Sequence, residues 1–377
     1  MAIDLEDLPV LLGEVERFAL ARIGAAVAHP ENPLDGVTLA QLSAEAGDMG
    51  LLSLSADPEG YGLWEQPAEK AGMLLSLRML GQFGAVNAGV AFAWHRIALA
   101  AYVARQLRLP LNADAPLAAT LVPTGHLGLA RTSLARWLTG QPPSDEDSAL
   151  LADWLNRREH DTVLYAPAAW ESVLLPVWDQ HTIAWRRVNR SDWQVTNCAR
   201  AHGFDELAAF RLREPPASAA PIVSVPGDPR ALFTRVLKMD MLGLMAIGGG
   251  ALARAQTMAT DYAAVRRQGG KLIAAHAAVQ QLLTDIESAR LRVDQALGSF
   301  GLALDEVDLG AVAASRIDVH KHLCHAANQA VQVHGGIGYM RDLGVEKILR
   351  DQNMLRLQAG GIHDARQFVA GWKGASA

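Results

Sequence analysis

The amino-acid sequence predicts a mainly α-helical protein with a small β-rich region in its middle. Helical hydrophobic patterns fill the first hundred residues, and short runs of strand character follow between 162 and 212. Long helical patterns joined by short connections occupy the last third of the chain. A chain of 377 residues can bury two or three separate hydrophobic cores.

The first predicted domain covers residues 1–115 and is helical. Apolar residues recur at three- and four-residue spacing over 5–27, which is typical of an amphipathic helix. Further helices are predicted over 39–49, 66–84 and 87–108. The last of these is almost wholly apolar between 90 and 103, with His95 and Arg96 as the exceptions, so we expect it to be buried on most sides.

The second predicted domain, residues 116–229, carries the strands. They are expected in a small antiparallel sheet, since turn residues separate them at short intervals, and they cover 162–165, 172–175, 182–185, 193–196 and 208–212. Before them, 121–154 has a helical pattern in which Ser144 is placed to cap a helix. Proline-rich sequence at 215–221 and at 226–229 predicts a linker.

The third predicted domain, residues 230–377, is a four-helix bundle. Its helices are expected over 235–265, 271–300, 305–334 and 362–372. Three consecutive glycines, Gly248, Gly249 and Gly250, interrupt the first helix at a cost of about 2–3 kcal/mol relative to alanine. Close helix packing or a slot for an acyl chain would each explain them.

Composition excludes several classes of function. The net charge of −6 gives no basic surface for nucleic acid. Cys198 and Cys324 lie far apart, so no disulfide framework is predicted. The start of the chain lacks a signal-peptide pattern, and no uncharged apolar stretch reaches about 18 residues. We therefore expect a cytoplasmic protein with no membrane partner, and the histidine-rich helix lacks the carboxylates that a metal site would need.

Two motifs carry a resemblance to a known family. The sequence reads QVHGGIGY at 332–339, followed by VEK at 345–347 and LRD at 349–351. Upstream, RRQGGKLI occupies 266–273. In this order the motifs resemble the C-terminal signature of acyl-CoA dehydrogenases, which are FAD enzymes that desaturate an acyl thioester between its α and β carbons. The resemblance is specific over 235–377 and fair over 1–115. Between them, the family's Thr-Glu-Pro, Gly-Ser-Asp and Trp-Ile-Thr flavin motifs are absent.

The resemblance implies an FAD site shared between subunits. In the family, residues matching Arg266 and Gln332 reach the FAD of a neighbouring subunit, and the backbone of Gly335 and Gly336 would serve its adenosine side. An arginine suits a pyrophosphate because its planar fork holds two oxygens. A homotetramer or homodimer is therefore implied. The alternative is a solvated arginine near glycines that only end a helix, and the family's phenylalanine in the first motif is Gly269 here.

The resemblance also locates the catalytic base, and here the chain departs from the family. The usual glutamate position is Ala359, which cannot accept a proton. Some members carry the base on the helix that includes Asp240, and Asp240 is the matching residue. A desolvated carboxylate there would have a raised pKa, as a base requires. The alternative is an exposed aspartate in the first turn of a helix.

Three functions follow from these observations. The first is an FAD-dependent acyl-CoA dehydrogenase-like oxidoreductase, which desaturates an acyl thioester, transfers hydride to flavin and passes electrons to a flavoprotein acceptor. The second is a flavin-dependent oxygenase on the same fold. The third is a non-catalytic homologue or partner subunit, since the usual base is absent at Ala359.

Overall fold

A computed structural model describes residues 3–52, 54–55, 58, 60–111, 120–121, 131–156, 162–198, 202–213 and 220–376. Its main helices are α1 (Leu8–Phe18), α2 (Gly36–Asp48), α3 (Lys70–Val86), α4 (Ala88–Gln106), α5 (Arg131–Leu138), α6 (Asp145–Leu155), α7 (Pro229–Val265), α8 (Ala277–Ser299), α9 (Leu309–His334), α10 (Val345–Leu357) and α11 (Gly361–Ser376). Its strands are β1 (Thr120–Leu121), β2 (Thr162–Ala166), β3 (Ser172–Asp179), β4 (Thr182–Asn189), β5 (Gln194–Asn197), β6 (Ala208–Arg213), β7 (Ile222–Val223), β8 (Arg267–Gln268) and β9 (Lys271–Leu272).

The N-terminal helices form where the hydrophobic pattern predicts them. Helix α1 continues through one π-helical turn at Ala19–Ile23, so the predicted helix over 5–27 is confirmed in type. Asp35 caps α2 by accepting hydrogen bonds from two backbone N–H groups of its first turn. Every residue of α4 from 88 to 104 is buried, including the two polar exceptions, so the prediction of a buried helix is confirmed.

The middle region contains two small sheets, whereas one antiparallel sheet was expected. One sheet has the strand order β1-β3-β4-β7 and the other has the order β2-β6-β5. The pairs are antiparallel except β1 with β3, which run parallel. Residues 222–223, between the two proline-rich stretches, form β7, which was not predicted and which pairs with β4. Residues 122–130, part of the predicted helical stretch, lie outside the described residues.

The C-terminal region is the predicted helical bundle, built around α7. Helix α7 packs against α3, α4, α8, α9 and α10, so it is the central helix of the protein. It begins at Pro229 with Asp228 as its cap. Helix α8 begins later than expected because β8 and β9 form a short hairpin, in which Gly269 and Gly270 both have positive φ. Helix α9 likewise begins after a turn, at Leu309.

The three consecutive glycines of α7 serve close helix packing. A Cβ atom on Gly248 would lie 2.6 Å from Leu323 Cδ1, and one on Gly249 would lie 3.0 Å from Val293 Cγ1. A Cβ on Gly250 would overlap the backbone carbonyl of Gly81 in α3. Neighbouring helices therefore approach α7 on three sides, and packing accounts for the glycines.

Gly250→Ala is expected to lower the free energy of unfolding by about 1–3 kcal/mol or more, because the new methyl group has no room against α3. Chemical denaturation with circular dichroism measures this. Gly298→Ala in α8 is the control, since no atom lies within 4 Å of its added Cβ. The control should be stabilised by roughly 0.5–1 kcal/mol. Equal stability of the two variants would contradict the packing explanation.

A buried ionic network joins all three regions. Lys347 of α10 forms ion pairs with Glu206 at 3.1 Å and with Asp351 at 2.5 Å. Asn87, the cap of α4, donates a hydrogen bond of 2.6 Å to Glu206. Arg350 donates hydrogen bonds of 2.7 Å to both carboxylate oxygens of Asp205, the residue before Glu206. The charged residues of the C-terminal motif therefore fasten the bundle to the middle region and, through Glu206, to α4.

Helix α7 is also long and apolar enough to cross a membrane. However, 83% of its most apolar window is buried inside the protein, as in the core helix of a globular fold. Within the described ranges, no group of three or more histidine, cysteine or acidic residues could hold a metal ion. Cys198 and Cys324 are free thiols.

Candidate active site

Asp240 lies fully buried in the interior of α7, facing α4. Its Oδ1 atom is 3.2 Å from His95 Nε2 and 3.0 Å from Arg96 Nη1. All three side chains are at most 2% exposed. The alternative of an exposed aspartate in a first helical turn is therefore wrong, because α7 begins well before residue 240 and is covered by α4 at this point.

His95 is held in one tautomer by its second partner. Trp64 Nε1 donates a hydrogen bond of 2.9 Å to His95 Nδ1, so the ring proton is on Nε2 and is donated to Asp240. Burial lowers the pKa of His95 by more than the Asp240 carboxylate raises it, so the ring is neutral at pH 7. Both ring nitrogens are engaged, and His95 therefore positions Asp240 without acting as a base itself.

The pKa of Asp240 is lowered, whereas the sequence predicted that it would be raised. Burial raises the pKa of this carboxyl. The Arg96 charge and the His95 hydrogen bond, with a smaller contribution from Arg316, together lower the pKa by more than burial raises it. The prediction considered only the apolar neighbours along α7 and not the cations that other helices supply. Asp240 is therefore ionised at neutral pH.

Arg316 connects Asp240 to the loop that carries Ala359. The Arg316 side chain is fully buried and donates hydrogen bonds to the backbone carbonyls of Arg356, Gln358 and Gly361. The carbonyls of Arg356 and Gln358 lie at the end of α10, where a cation is favoured by the helix dipole. Ala359 is itself fully buried, with φ of 50°. The usual base position and Asp240 therefore share Arg316 as a neighbour.

Several polar atoms around Asp240 have no hydrogen-bond partner within the described part of the chain. They are Asp240 Oδ2, the Nε and Nη2 atoms of Arg96, Nε of Arg316 and both ring nitrogens of His320. Buried polar groups are normally hydrogen-bonded, and each group left unpaired costs about 1–3 kcal/mol. These groups are therefore the ones that a water molecule or a ligand at the centre of the protein would satisfy.

Sequence reasoning found Asp240 but missed most of its partners. His95 and Arg96 were visible only as polar exceptions in an apolar helix, which is the signal that could have found them. Arg316 and His320 are spaced i and i+4 on α9, so they face the same side of that helix. Nothing in the local sequence shows which helix that side meets.

The predicted nucleotide-binding residues gather at one end of the bundle. The rings of Tyr262 and His334 stack with centroids 4.7 Å apart, and this stack joins the ends of α7 and α9. Arg266 follows Tyr262 as the exposed C-terminal cap of α7, and its side chain bonds to no described residue. Gln332 is also exposed and donates a hydrogen bond of 3.0 Å to the Tyr339 hydroxyl.

The backbone at this end of the bundle is open to approach. A Cβ atom on Gly335 or Gly336 would meet no atom within 4 Å, and Gly335 ends α9 with φ of 64°. Exposed apolar side chains surround them, including Ile337 and Tyr339, which are 46% and 61% exposed. An arginine, an amide and an open glycine backbone fit a nucleotide in chemical type. Residues 122–130, in the region where the family carries its flavin-side motifs, lie outside the described residues.

Comparison with known proteins agrees with this arrangement. Residues 231–370 match the family model for the acyl-CoA dehydrogenase C-terminal domain. A 3-sulfinopropanoyl-CoA desulfinase of Paraburkholderia xenovorans is 31% identical over 156 residues, which are 40% of this chain and 39% of the relative. A probable acyl-CoA dehydrogenase of Bacillus subtilis is 29% identical over 157 residues, or 40% and 41% of the two chains. The matched segment thus spans about two fifths of these relatives.

The fold is shared over nearly the whole length. Butyryl-CoA dehydrogenase from Megasphaera elsdenii superposes with a TM-score of 0.67 at 15% identity, covering 98% of this chain and 99% of that one. Helices, then a small β region, then a helical bundle with a buried polar centre define the acyl-CoA dehydrogenase fold. Residues 231–370 therefore belong to the family of acyl-CoA dehydrogenase C-terminal domains, and the chain as a whole has the acyl-CoA dehydrogenase fold.

Proposed function

We propose that the protein is an FAD-dependent oxidoreductase that desaturates an acyl-CoA thioester, with Asp240 as the base that removes the α-proton. One observation carries the proposal. Asp240 is an ionised carboxylate at the buried centre of the protein, with one oxygen held by two partners and with no hydrogen-bond partner for Oδ2 among the described residues. An unpartnered carboxylate oxygen can accept a proton from a substrate carbon that is placed against it.

Each neighbour has a defined task in this proposal. His95 donates to Oδ1 and so directs Oδ2 towards the substrate. Arg96 keeps the carboxylate ionised, and the surrounding core excludes water. Arg316 fixes the loop of Ala359, which contributes shape and no proton transfer. FAD, when bound, supplies the acceptor for the β-hydride.

The proposed FAD site needs two subunits. We place the pyrophosphate of a neighbouring subunit's FAD at Arg266 and its adenosine side at Gln332, Gly335 and Gly336. The exposed apolar residues around this end of the bundle favour contact with a second copy of the chain. A homodimer or homotetramer is the proposed assembly, with a flavoprotein as electron acceptor. If light scattering finds only monomer, the proposed FAD site between two subunits is wrong.

The pure protein is expected to show a flavin absorption band that is bleached when acyl-CoA thioesters are added without oxygen. Asp240→Asn should slow this bleaching by at least about 100-fold, since removing a general base typically costs 10²–10⁴ in rate. Because the pKa of Asp240 is lowered, the carboxylate stays ionised in mild acid. The bleaching rate of the wild type should therefore not fall between pH 7 and pH 5. Stopped-flow absorbance gives both measurements.

Asp261→Asn is the matched control, because Asp261 lies on the same helix but is exposed. Near-ultraviolet circular dichroism should first show that both variants are folded at the assay temperature. Bleaching that is equally fast in Asp240→Asn and Asp261→Asn would remove Asp240 from the mechanism. A wild type whose flavin no acyl-CoA bleaches would remove the proposed desaturation.

A second candidate follows from Ala359 and from the lowered pKa of Asp240, since a carboxylate beside a fixed arginine is a weak base. The protein would then be a flavin-dependent oxygenase or a non-catalytic homologue. Desaturation is also not what the name of the Paraburkholderia relative, a desulfinase, describes. Oxygen consumption with supplied reduced flavin identifies the oxygenase. A protein that stays colourless after FAD addition identifies the non-catalytic homologue.

A further inference from the structure

A small cavity lies where the three regions of the protein meet. Its volume is about 60 Å³, and it is lined by the loop 27–34, the junction of α3 with α4, Glu206 of the middle region, and one face each of α7 and α10. Its described lining residues include neither Asp240 nor Ala359, and none of the proposed nucleotide-binding residues. The cavity is therefore separate from the candidate active site.

The buried end of this cavity carries two carboxylates and one cation. Glu206 and Asp351 are 7% and 2% exposed, and both form ion pairs with Lys347. Glu206 Oε1 also accepts a hydrogen bond from Asn87, whereas Glu206 Oε2 has no partner among the described residues. Buried polar atoms are normally hydrogen-bonded, so Glu206 Oε2 is the acceptor that a bound donor would satisfy.

The negative charge at the buried end is not fully compensated by Lys347. Burial raises the pKa of Asp351, Lys347 lowers it and Glu206 raises it, and the result is a raised pKa. The second carboxylate is therefore unfavourable beside the first. A group that donates hydrogen bonds and also carries a positive charge would offset it better than a neutral donor.

The solvent-facing rim of the cavity carries the opposite charge. Arg254 of α7 lines the cavity, is exposed and bonds to no described residue. The walls include the apolar side chains of Leu34, Val86 and Ile348. The two carboxylates and the two cations of the lining sum to zero, but the uncompensated negative charge is buried and the unpaired positive charge is at the rim. The cavity is therefore neutral as a whole and polarised along its depth.

We propose that this cavity binds a small zwitterionic amino acid of about two to four carbons, with its ammonium group against Glu206 Oε2 and its carboxylate towards Arg254. Such a ligand has no net charge and presents opposite charges to the two ends of the cavity. One water molecule needs about 10–15 Å³ of such a volume, so the cavity holds roughly four to six waters or an amino acid with a similar number of heavy atoms. The inference goes beyond the proposed function and requires neither flavin nor acyl thioester.

Binding there would also join the regions that meet at the cavity. The ammonium group would contact Glu206 of the middle region, which already accepts from Asn87 at the start of α4. The carboxylate would contact Arg254 of the bundle. Because a ligand that binds only the folded state stabilises it by mass action, the melting temperature should rise with the concentration of the amino acid.

The test measures binding to the protein as purified by saturation-transfer NMR, with glycine, β-alanine and 4-aminobutanoate as probes. Each probe is compared with the amine and the carboxylate that lack one of its charges, such as propylamine and propanoate for β-alanine. We expect at least one amino acid to bind with a dissociation constant of about 1 mM or tighter, and its two partial analogues to bind at least about tenfold more weakly. If no amino acid binds at about 10 mM, the cavity holds only water and the proposal is wrong. An amine or a carboxylate that binds as tightly as its amino acid also overturns it.

Two variants and one control locate the binding. Glu206→Gln keeps the shape of the side chain and removes its charge, so it should weaken amino-acid binding at least about tenfold. Arg254→Gln should remove the preference for the amino acid over its matched amine. Arg78→Gln is the control, since Arg78 is an exposed arginine of α3 that does not line the cavity.

Unchanged affinity in a folded Glu206→Gln overturns the proposal. If Glu206→Gln does not fold, Arg254→Gln decides, because Arg254 is exposed and its replacement should leave the fold intact. An Arg254→Gln protein that still prefers the amino acid to the amine as strongly as Arg78→Gln does would overturn the proposal as well.

Discussion

Asp240→Asn is expected to lower the free energy of unfolding by about 3–5 kcal/mol, whatever its effect on catalysis. The substitution leaves Arg96 buried without an opposite charge, and breaking one partner of a buried ion pair typically costs this much. The lowered pKa of Asp240 also indicates that its ionised carboxylate stabilises the folded state. Because the folded state favours the carboxylate, its contribution is present at neutral pH and is lost as pH falls through the folded-state pKa. Urea denaturation at pH 7 measures the loss.

The double variant Arg96→Met with Asp240→Leu tests the cause. Replacing both ions with apolar side chains removes the unpaired charge, and such replacements are often neutral or stabilising. We expect the double variant to recover most of the stability that Asp240→Asn loses, while remaining unable to bleach flavin. A double variant as unstable as Asp240→Asn would show that the cost comes from packing and not from charge. An Asp240→Asn protein as stable as wild type would contradict the ion pair itself.

This pair of experiments also separates the two roles that Asp240 can have. A structural ion pair predicts a loss of stability and nothing else, so flavin bleaching would be unchanged in a folded Asp240→Asn. A catalytic base predicts loss of bleaching in both the single and the double variant. Since His95 and Arg96 engage only Oδ1, both roles are compatible with the geometry.

The sequence predicts the helices well because their signals are local. Ser144 caps α6 as expected, with its side chain accepting from the backbone N–H of Asp147. The apolar run of α4 is buried as expected. Strand β7 was missed because its pairing with β4 is non-local, and the start of α8 was missed because the short β8–β9 hairpin precedes it. The domain boundaries at 115 and 229 stay predictions.

The site was less predictable because it is assembled from distant helices. Asp240 was found through resemblance to a family, but its pKa direction was wrong because Arg96 arrives from α4, 144 residues earlier in the chain. The predicted role of Asp240 as base and those of Arg266, Gln332, Gly335 and Gly336 as FAD ligands stay predictions. What the structure adds is that Arg266 and Gln332 lie at one end of the bundle and Asp240 at its buried centre.

Stability is expected to fall steeply between pH 7 and pH 5, because two fully buried histidines are neutral in the folded state. Burial lowers the pKa of His95, which faces Asp240 and Arg96, and lowers the pKa of His320 well below its usual value, with Arg316 and Arg356 adding to the effect. Unfolding lets both rings take up protons at their ordinary pKa of about 6.5. The unfolded state then binds more protons, so stability rises with pH up to that value and is lost below it.

The expected loss of stability follows from the number of protons that the two histidines take up on unfolding. Each histidine contributes at most about 1.4 kcal/mol per pH unit, so the two together can remove at most roughly 4 kcal/mol between pH 7 and pH 5. Asp351 acts in the opposite direction, since burial and Glu206 raise its pKa, but it is one group against two. Most carboxylates with resolved shifts, such as Asp240 and Asp205, have lowered pKa values and begin to matter only in stronger acid. Urea denaturation at several pH values measures how the free energy of unfolding depends on pH.

His320→Leu isolates one of the two contributions. His320 has no hydrogen-bond partner among the described residues, so an apolar side chain of similar size should cost little at pH 7 and can even stabilise the protein. Unfolding of the variant should take up about one proton fewer than unfolding of the wild type. The variant should therefore be more stable than the wild type at pH 5. His325→Leu, on the same helix but at an exposed position, is the matched control. If the free energy of unfolding depends on pH equally in both variants, His320 is protonated in the folded protein and the explanation is wrong.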